Sequence, residues 1–158
     1  QPTSSLDRKE RFRVLSAGDR ELVISLSRQI VDENESISIV TPATHVRLMA
    51  RMKESVNNSL FNLGDLVATE AEVKIGSARG YMMILGLDKE KALAGAILEA
   101  AIAGGHPMTD KLLNALQREK EQMNERADRL WGIVKDSRVN FEGGKIEEYG
   151  AADFTKDR

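Results

Sequence analysis

Apolar positions along this chain change period twice, from helical to alternating and back to helical. Near the start, Phe12, Val14 and Leu15 give a short segment an apolar side, and Gly18 ends it. Ser4 and Asp7 stand at the spacing of a capping box before that segment. Asp19 can cap a second segment in which Leu22, Val23, Leu26 and Ile30 recur at helical spacing, until the polar run Asp32 to Ser36 dilutes the pattern. The two segments predict a helical hairpin.

The middle of the chain alternates. From His45 to Lys53, Val46, Leu48, Ala50 and Met52 share one face, while His45, Arg47, Arg51 and Lys53 share the other with Met49 among them. That is the pattern of a half-buried strand. From Leu66 to Ile75, the residues Val67, Thr69, Ala71, Val73 and Ile75 alternate with Ala68, Glu70, Glu72 and Lys74. Opposite charges on the outer faces of these two strands predict that they pair. Tyr81, Met83 and Leu85 alternate with Met82 and Ile84 in a third run, apolar on both faces, with Gly76 to Gly80 as the turn before it. Ser36 to Thr41 is β-branched and alternating, and Pro42 bounds it. The count comes to about four strands, and the short connections favour antiparallel order.

The last third is helical. Asp88 can cap a segment that is Ala-rich and apolar on nearly every side until Gly104 and Gly105 end it. A helix apolar all round must be covered all round. The sheet covers one side, and either the terminal helices of the same chain or another protein covers the rest. Thr109 can cap a final helix reaching Ser137, about 40 Å long at the helical rise. Its stripe of Leu112, Leu116, Met123, Ala127, Leu130 and Val134 is interrupted by Glu119 and Lys120. In one reading Leu112 to Leu116 pack on the sheet while Leu130 and Trp131 project to meet another subunit. In the other, the helix lies across its own domain or kinks near Gly132. After Gly143 the composition is that of a flexible or partner-ordered tail. The expected organisation is an α+β domain over residues 1–142 and a tail over 143–158.

Charge and composition then narrow the function. Lys and Arg number 23 against 25 Asp and Glu, a formal net charge of -2, which argues against a nucleic-acid binder living on phosphate neutralisation. The stretch Glu21 to Gln29 also lacks the face of a base-reading helix. With no Cys, the chain has no disulfide framework, Cys zinc site or iron–sulfur ligand set, and a cytoplasmic setting is the expectation. Gln1 to Arg13 has no apolar core of a secretory signal, and Ala92 to Gly105 falls short of the roughly 20 apolar residues that span a bilayer. No membrane role is expected.

Most motifs of catalysis are missing. His45 and His106 are far apart and read as structural, and no metal site is expected. There is no GxSxG elbow or SxxK pair, and Gly76 to Gly80 lacks the following helix of a phosphate-binding loop. Glu70 and Glu72 read as a solvated, salt-bridging face. One constellation stands out: Arg47 and Arg51 on one strand with Arg79 at the start of a neighbouring one. Arginine forks suit phosphate or carboxylate, so these three are candidate phosphate or partner contacts, unless Glu70 and Glu72 satisfy them within the sheet.

Several short runs stand in a suggestive order: Ala50-Arg51-Met52, Phe61 with Gly64-Asp65, then Thr69, Ala71 and Val73, then Gly80-Tyr81 to Gly86 with Asp88, and Ser137-Arg138-Val139 with Phe141. Together they resemble PhnG, the G subunit of the bacterial carbon–phosphorus lyase machinery, over residues 8 to 142. Asp65 stands where Glu is as common, and Asn140 where a carboxylate is common. The resemblance implies an accessory subunit of a core complex with the H, I and J subunits. That complex, with an ATP-binding-cassette-like partner, transfers alkylphosphonate to the ribose of ATP with loss of adenine, forming ribose 1-methylphosphonate 5-triphosphate. The family picture places nucleosidase-like chemistry on the I subunit and radical iron–sulfur cleavage on the J subunit. It supplies no catalytic residue for this chain, and ATP enters as a substrate of the complex, with no cofactor expected here. Leu130, Trp131, Arg138 and Phe141, together with the Ala-rich helix, form the expected partner interface. The alternative is a free-standing regulatory or ligand-binding module without enzymatic activity.

Overall fold

The computed structural model describes residues 6–33, 36–54 and 57–136. Helix α1 (Arg8–Ala17) opens on a capping box three residues later than the Ser4 and Asp7 pair: the Asp7 carboxylate accepts from the Glu10 N–H at 2.7 Å, and the Glu10 side chain returns to the Asp7 N–H. Helix α2 (Arg20–Asp32) follows a two-residue turn and starts where expected, with the Asp19 side chain accepting from the Leu22 N–H. Further along, α3 (Lys89–Ala103) runs from its Asp88 cap to Gly104, and α4 spans Thr109–Asp136.

Among the described residues the sheet has three antiparallel strands, β1 (Ile37–Lys53), β2 (Leu60–Ile75) and β3 (Ala78–Leu85), in the order β1-β2-β3. The expected four become three because Ser36 to Thr41 and His45 to Lys53 belong to one edge strand. Pro42 interrupts its register between Thr41 and Thr44 without ending it. A proline cannot donate to a ladder, but on an edge strand at a bulge nothing requires it to. β2 also begins six residues before the expected Leu66. The β2–β3 turn narrows to Gly76-Ser77, with Gly76 at φ 58°, a conformation open to glycine without strain.

Register decides which side chains share a side. Thr69, Ala71, Val73 and Ile75 of β2 are buried towards α3, and His45 pairs with Thr69, so His45 and Arg47 lie on that side as well. Glu70 and Glu72 lie on the opposite side. The charged rows of β1 and β2 therefore do not face each other, contrary to expectation. A shift of one residue exchanges the two faces of a strand, and composition alone does not set it.

The core lies between the sheet and the helices, with α3 at its centre. From Ala94 to Ala101 every α3 residue is buried, and the chain's own elements provide the cover. The partner-facing role expected of this helix is thereby corrected. On one side α3 meets the sheet so closely that a Cβ on Gly80 would lie 2.0 Å from the Ala96 carbonyl oxygen. On the other, Glu99, 6% exposed amid apolar neighbours, takes two hydrogen bonds from the Arg11 guanidinium of α1, at 3.0 and 3.4 Å. Lys91 Nζ donates to the Ser16 and Gly18 carbonyls and ties α3 to the α1–α2 turn.

The chain divides into two compact units between Glu125 and Arg126, and of the second the described part is the end of α4, Arg126–Asp136. Within the first unit α4 packs on the helical hairpin, where the sequence suggested the sheet. Leu112 and Leu116 are buried, Lys111 donates to Gln29, Lys120 pairs with Glu10, and the Glu119 carboxylate accepts from the Asp19 N–H.

Gly80→Ala is expected to lower the unfolding free energy by about 3 kcal/mol, because the α3 backbone must retreat, read as a lower urea midpoint. Arg11→Met leaves a buried, unpaired Glu99 and is expected to cost about 3 kcal/mol, whereas Arg11→Met with Glu99→Met recovers most of that loss.

Candidate functional site

Length forces the first two strands past the rest of the fold. β1 and β2 have 17 and 16 residues against 8 for β3. β3 pairs with β2 only from Ala68 to Ile75, so Arg47 to Lys53 and Leu60 to Val67 pair with each other as a two-stranded ribbon. Glu54 and Ser59 close its tip: the Glu54 N–H donates to the Ser59 carbonyl at 2.9 Å and the Ser59 hydroxyl to the Glu54 carboxylate at 2.9 Å. Asn58 accepts φ 55° there, as Asn does more readily than most residues. All of Leu60 to Val67 is exposed.

The ribbon has two unlike faces. Val46, Leu48 and Met52 of β1, with Phe61 and Leu66 of β2, make one that is apolar throughout. Phe61 is 44% exposed. At its base this face runs into an open hollow of about 450 Å³, lined by Leu48, Met83 and Leu85 with Phe12 and Ala17 of α1. The other face carries Arg47, Arg51 and Lys53 among Met49, Leu60 and Val67.

Of the three candidate arginines, two are on this ribbon and one is not. Arg47 has an 80% exposed side chain and only a long approach to Asp65, at 3.8 Å. Arg51 lies four residues further along the same face, about 13 Å away at strand rise. That spacing suits two separate anionic groups. Arg79 pairs opposite Lys74 at the far end of β2, seven residues from the Arg47 partner Val67, or about 23 Å. It is held on the other side of the sheet by Glu72 at 3.3 Å. The structure thus does not bring Arg79 to Arg47 and Arg51.

Both histidines are built into local structure. The Thr69 hydroxyl donates to the Gly86 carbonyl at 2.6 Å, so it accepts from Nδ1–H of His45 at 3.0 Å. His106 is buried, its Nδ1 accepts from the Met108 N–H, and its Nε2 lies 3.3 Å from a Glu33 carboxylate oxygen. Among the described residues, no group of three or more His, Asp or Glu is placed to hold a metal ion. On α4, Leu130 and Trp131 are exposed, Trp131 by 68%. Arg138 and Phe141 lie outside the described residues.

A family model for the phosphonate metabolism protein PhnG matches residues 6–143. The chain belongs to the PhnG family. No curated protein matches it. Both the ribbon and the helical core of this PhnG-family chain fall inside the matched span. The sequence reading missed the first half of β2, because Gly64 and a register irregularity between Ala50 and Arg51 break the alternation of Leu60 to Val67. The available signal was the polar Asn57-Asn58-Ser59 turn between two apolar runs. No described helix of the PhnG-family chain is long and apolar enough to cross a membrane.

Electrostatics separates the ribbon from the body. In the body, Arg20 binds Asp88 at 2.8 Å and Glu90 at 2.7 Å, and Arg28 reaches Glu90 at 3.2 Å. The Arg20 hydrogen bond holds the Glu90 carboxyl below its ordinary value, and Lys120 does the same for Glu10. Burial raises Asp88, but the Lys91 N–H and Arg20 outweigh it and leave it low. On the ribbon, Arg51 and Lys53 have no ion-pair partner among the described residues. Groups with depressed folded values contribute stability that is complete above their ordinary values, near pH 4.5 for Glu, and is lost as pH falls through the folded ones. Stability is therefore expected to decline below that pH, and Arg20→Ala is expected to flatten this acid limb in urea titrations from pH 6 to 2.

Proposed function

We propose that this chain is an accessory subunit of the carbon–phosphorus lyase core complex, working with the H, I and J subunits in the cytoplasm. The complex moves an alkylphosphonate onto the ribose of ATP as adenine leaves, giving ribose 1-methylphosphonate 5-triphosphate. The family match over residues 6–143 carries this reading. ATP is then a substrate handled by the assembly, and this chain contributes protein contacts and no cofactor of its own.

Two surfaces support an assembly role. Leu130 and Trp131 expose large apolar side chains on α4, and interface anchors are enriched in such residues. Arg138 and Phe141, outside the described residues, are assigned to the same partner surface. Arg47 and Arg51 are exposed on the ribbon, where phosphate or carboxylate groups of a partner can reach them. Arg79, already engaged by Glu72, is assigned the weaker contact.

Co-expression of the chain with the H, I and J subunits is expected to yield one co-eluting complex that releases adenine from ATP in the presence of methylphosphonate and the cassette-type partner. Omitting this chain is expected to reduce that release at least tenfold. A complex of H, I and J that assembles and turns over fully without it would show that the chain serves elsewhere, as a free-standing module. Trp131→Ala with Phe141→Ala is expected to weaken co-elution while the circular dichroism spectrum of the isolated chain is unchanged.

A further inference from the structure

A two-stranded ribbon is marginal in water by itself, yet this one extends from the body with apolar side chains on both faces. Met52, Phe61 and Leu66 are exposed on one face, and Met49, Leu60 and Val67 on the other. Cover on one side alone would leave the other wet. A second copy stacked on the wholly apolar face in two-fold fashion would do that, leaving Leu60 68% exposed. Pairing of two copies through the edge of β1 is also opposed. That edge carries Pro42, register irregularities and the charges Arg47, Arg51 and Lys53, the features that blunt edge-to-edge association.

The cationic face adds direction. Arg47, Arg51 and Lys53 lie along one side of the ribbon, and among the described residues their one ion pair is the 3.8 Å approach of Arg47 to Asp65. Arg11 and Arg20 of the helical body, by contrast, have carboxylates at hydrogen-bonding distance. The ribbon thus presents uncompensated positive charge beside exposed Leu, Met and Phe. A nucleic-acid groove would meet the cations but leave these apolar side chains against phosphate and water. A protein cleft with apolar walls and acidic groups on its rim satisfies both.

We infer that the β1–β2 ribbon inserts into an apolar, acid-rimmed cleft of a different subunit, which covers both of its faces. This rests on the proposed membership of the core complex and assigns the docking element of that assembly. The ribbon and the Leu130 and Trp131 positions of α4 belong to different segments of the chain, so substitutions test them separately.

The test uses the full chain co-expressed with the H, I and J subunits. Wild-type and Arg47→Glu/Arg51→Glu chains, carrying different tags, compete for the same complex. The charge-reversed chain is expected to occupy at least tenfold fewer complexes, although both substituted side chains are exposed and the isolated variant keeps its unfolding midpoint. A photo-crosslinking amino acid in place of Phe61 is expected to join a different subunit at a peptide rich in Asp or Glu. Reversing those acids to Lys is expected to restore the Arg47→Glu/Arg51→Glu chain. Equal competition by a folded variant, crosslinks between two copies of this chain, or crosslinks to co-purified nucleic acid would each overturn the inference. If even the wild-type chain fails to join the complex, the proposed function falls with it, whereas normal assembly of the variants removes the ribbon assignment alone.

Discussion

The contact of α3 with the sheet at Gly80 governs the rest of the structure. A helix made largely of Ala has little side chain with which to fill space, so it buries surface only when its backbone comes close to the sheet. Gly80 permits this approach on β3, and Gly95 yields room to Met82 from the helix side. A Cβ at either position would force atoms apart. Interiors packed like crystals have no slack to absorb that displacement.

Close packing on one side makes the other side of α3 interior as well, and there the helix carries Glu99. A carboxylate among apolar neighbours is tolerated when it is paired and hydrogen-bonded. Arg11 supplies both bonds and uses a further N–H on the Leu6 carbonyl. α1 is therefore bound to α3 at a defined position, and Lys91 fixes the turn that follows α1 by donating to two of its carbonyls. With the hairpin in place, α4 finds its partners in Gln29, Glu10 and Asp19. Every element of the body is placed by its relation to the central helix. The same geometry leaves the ribbon outside. A 15-residue helix and an 8-residue strand are both about 25 Å long, and the strands of the β1–β2 pair are about twice that. Neither α3 nor β3 is long enough to cover their ends.

Much of the fold was readable from local chemistry. Asp19 and Asp88 as helix caps, Gly18 and Gly104 as ends, and the alternation in His45 to Lys53 all act within a few residues, where spacing and side-chain type suffice. Features that depend on pairing were not readable. Pro42 looked like a boundary because its constraint on the edge of a sheet depends on which strand is the edge. Arg47 and Arg79 looked like neighbours because β1 and β3 each alternate, while their separation by β2 is a matter of strand order. Of the proposed site residues, Arg138 and Phe141 lie beyond the described chain, and Leu130 and Trp131 are exposed on α4.

From the sequence alone came the classes of element, their order, the Ala-rich helix that had to be enclosed, the near balance of charge, and the family resemblance. These follow from periodicity, composition and ordered short runs, which survive without knowledge of distant contacts. The tertiary structure decided what enclosed that helix, on which side of the sheet each charged row lies, and that the long strands outrun their cover. Those outcomes depend on register and on the relative lengths of elements far apart in the chain. A one-residue slip or a missing neighbour reverses them while leaving every local pattern intact.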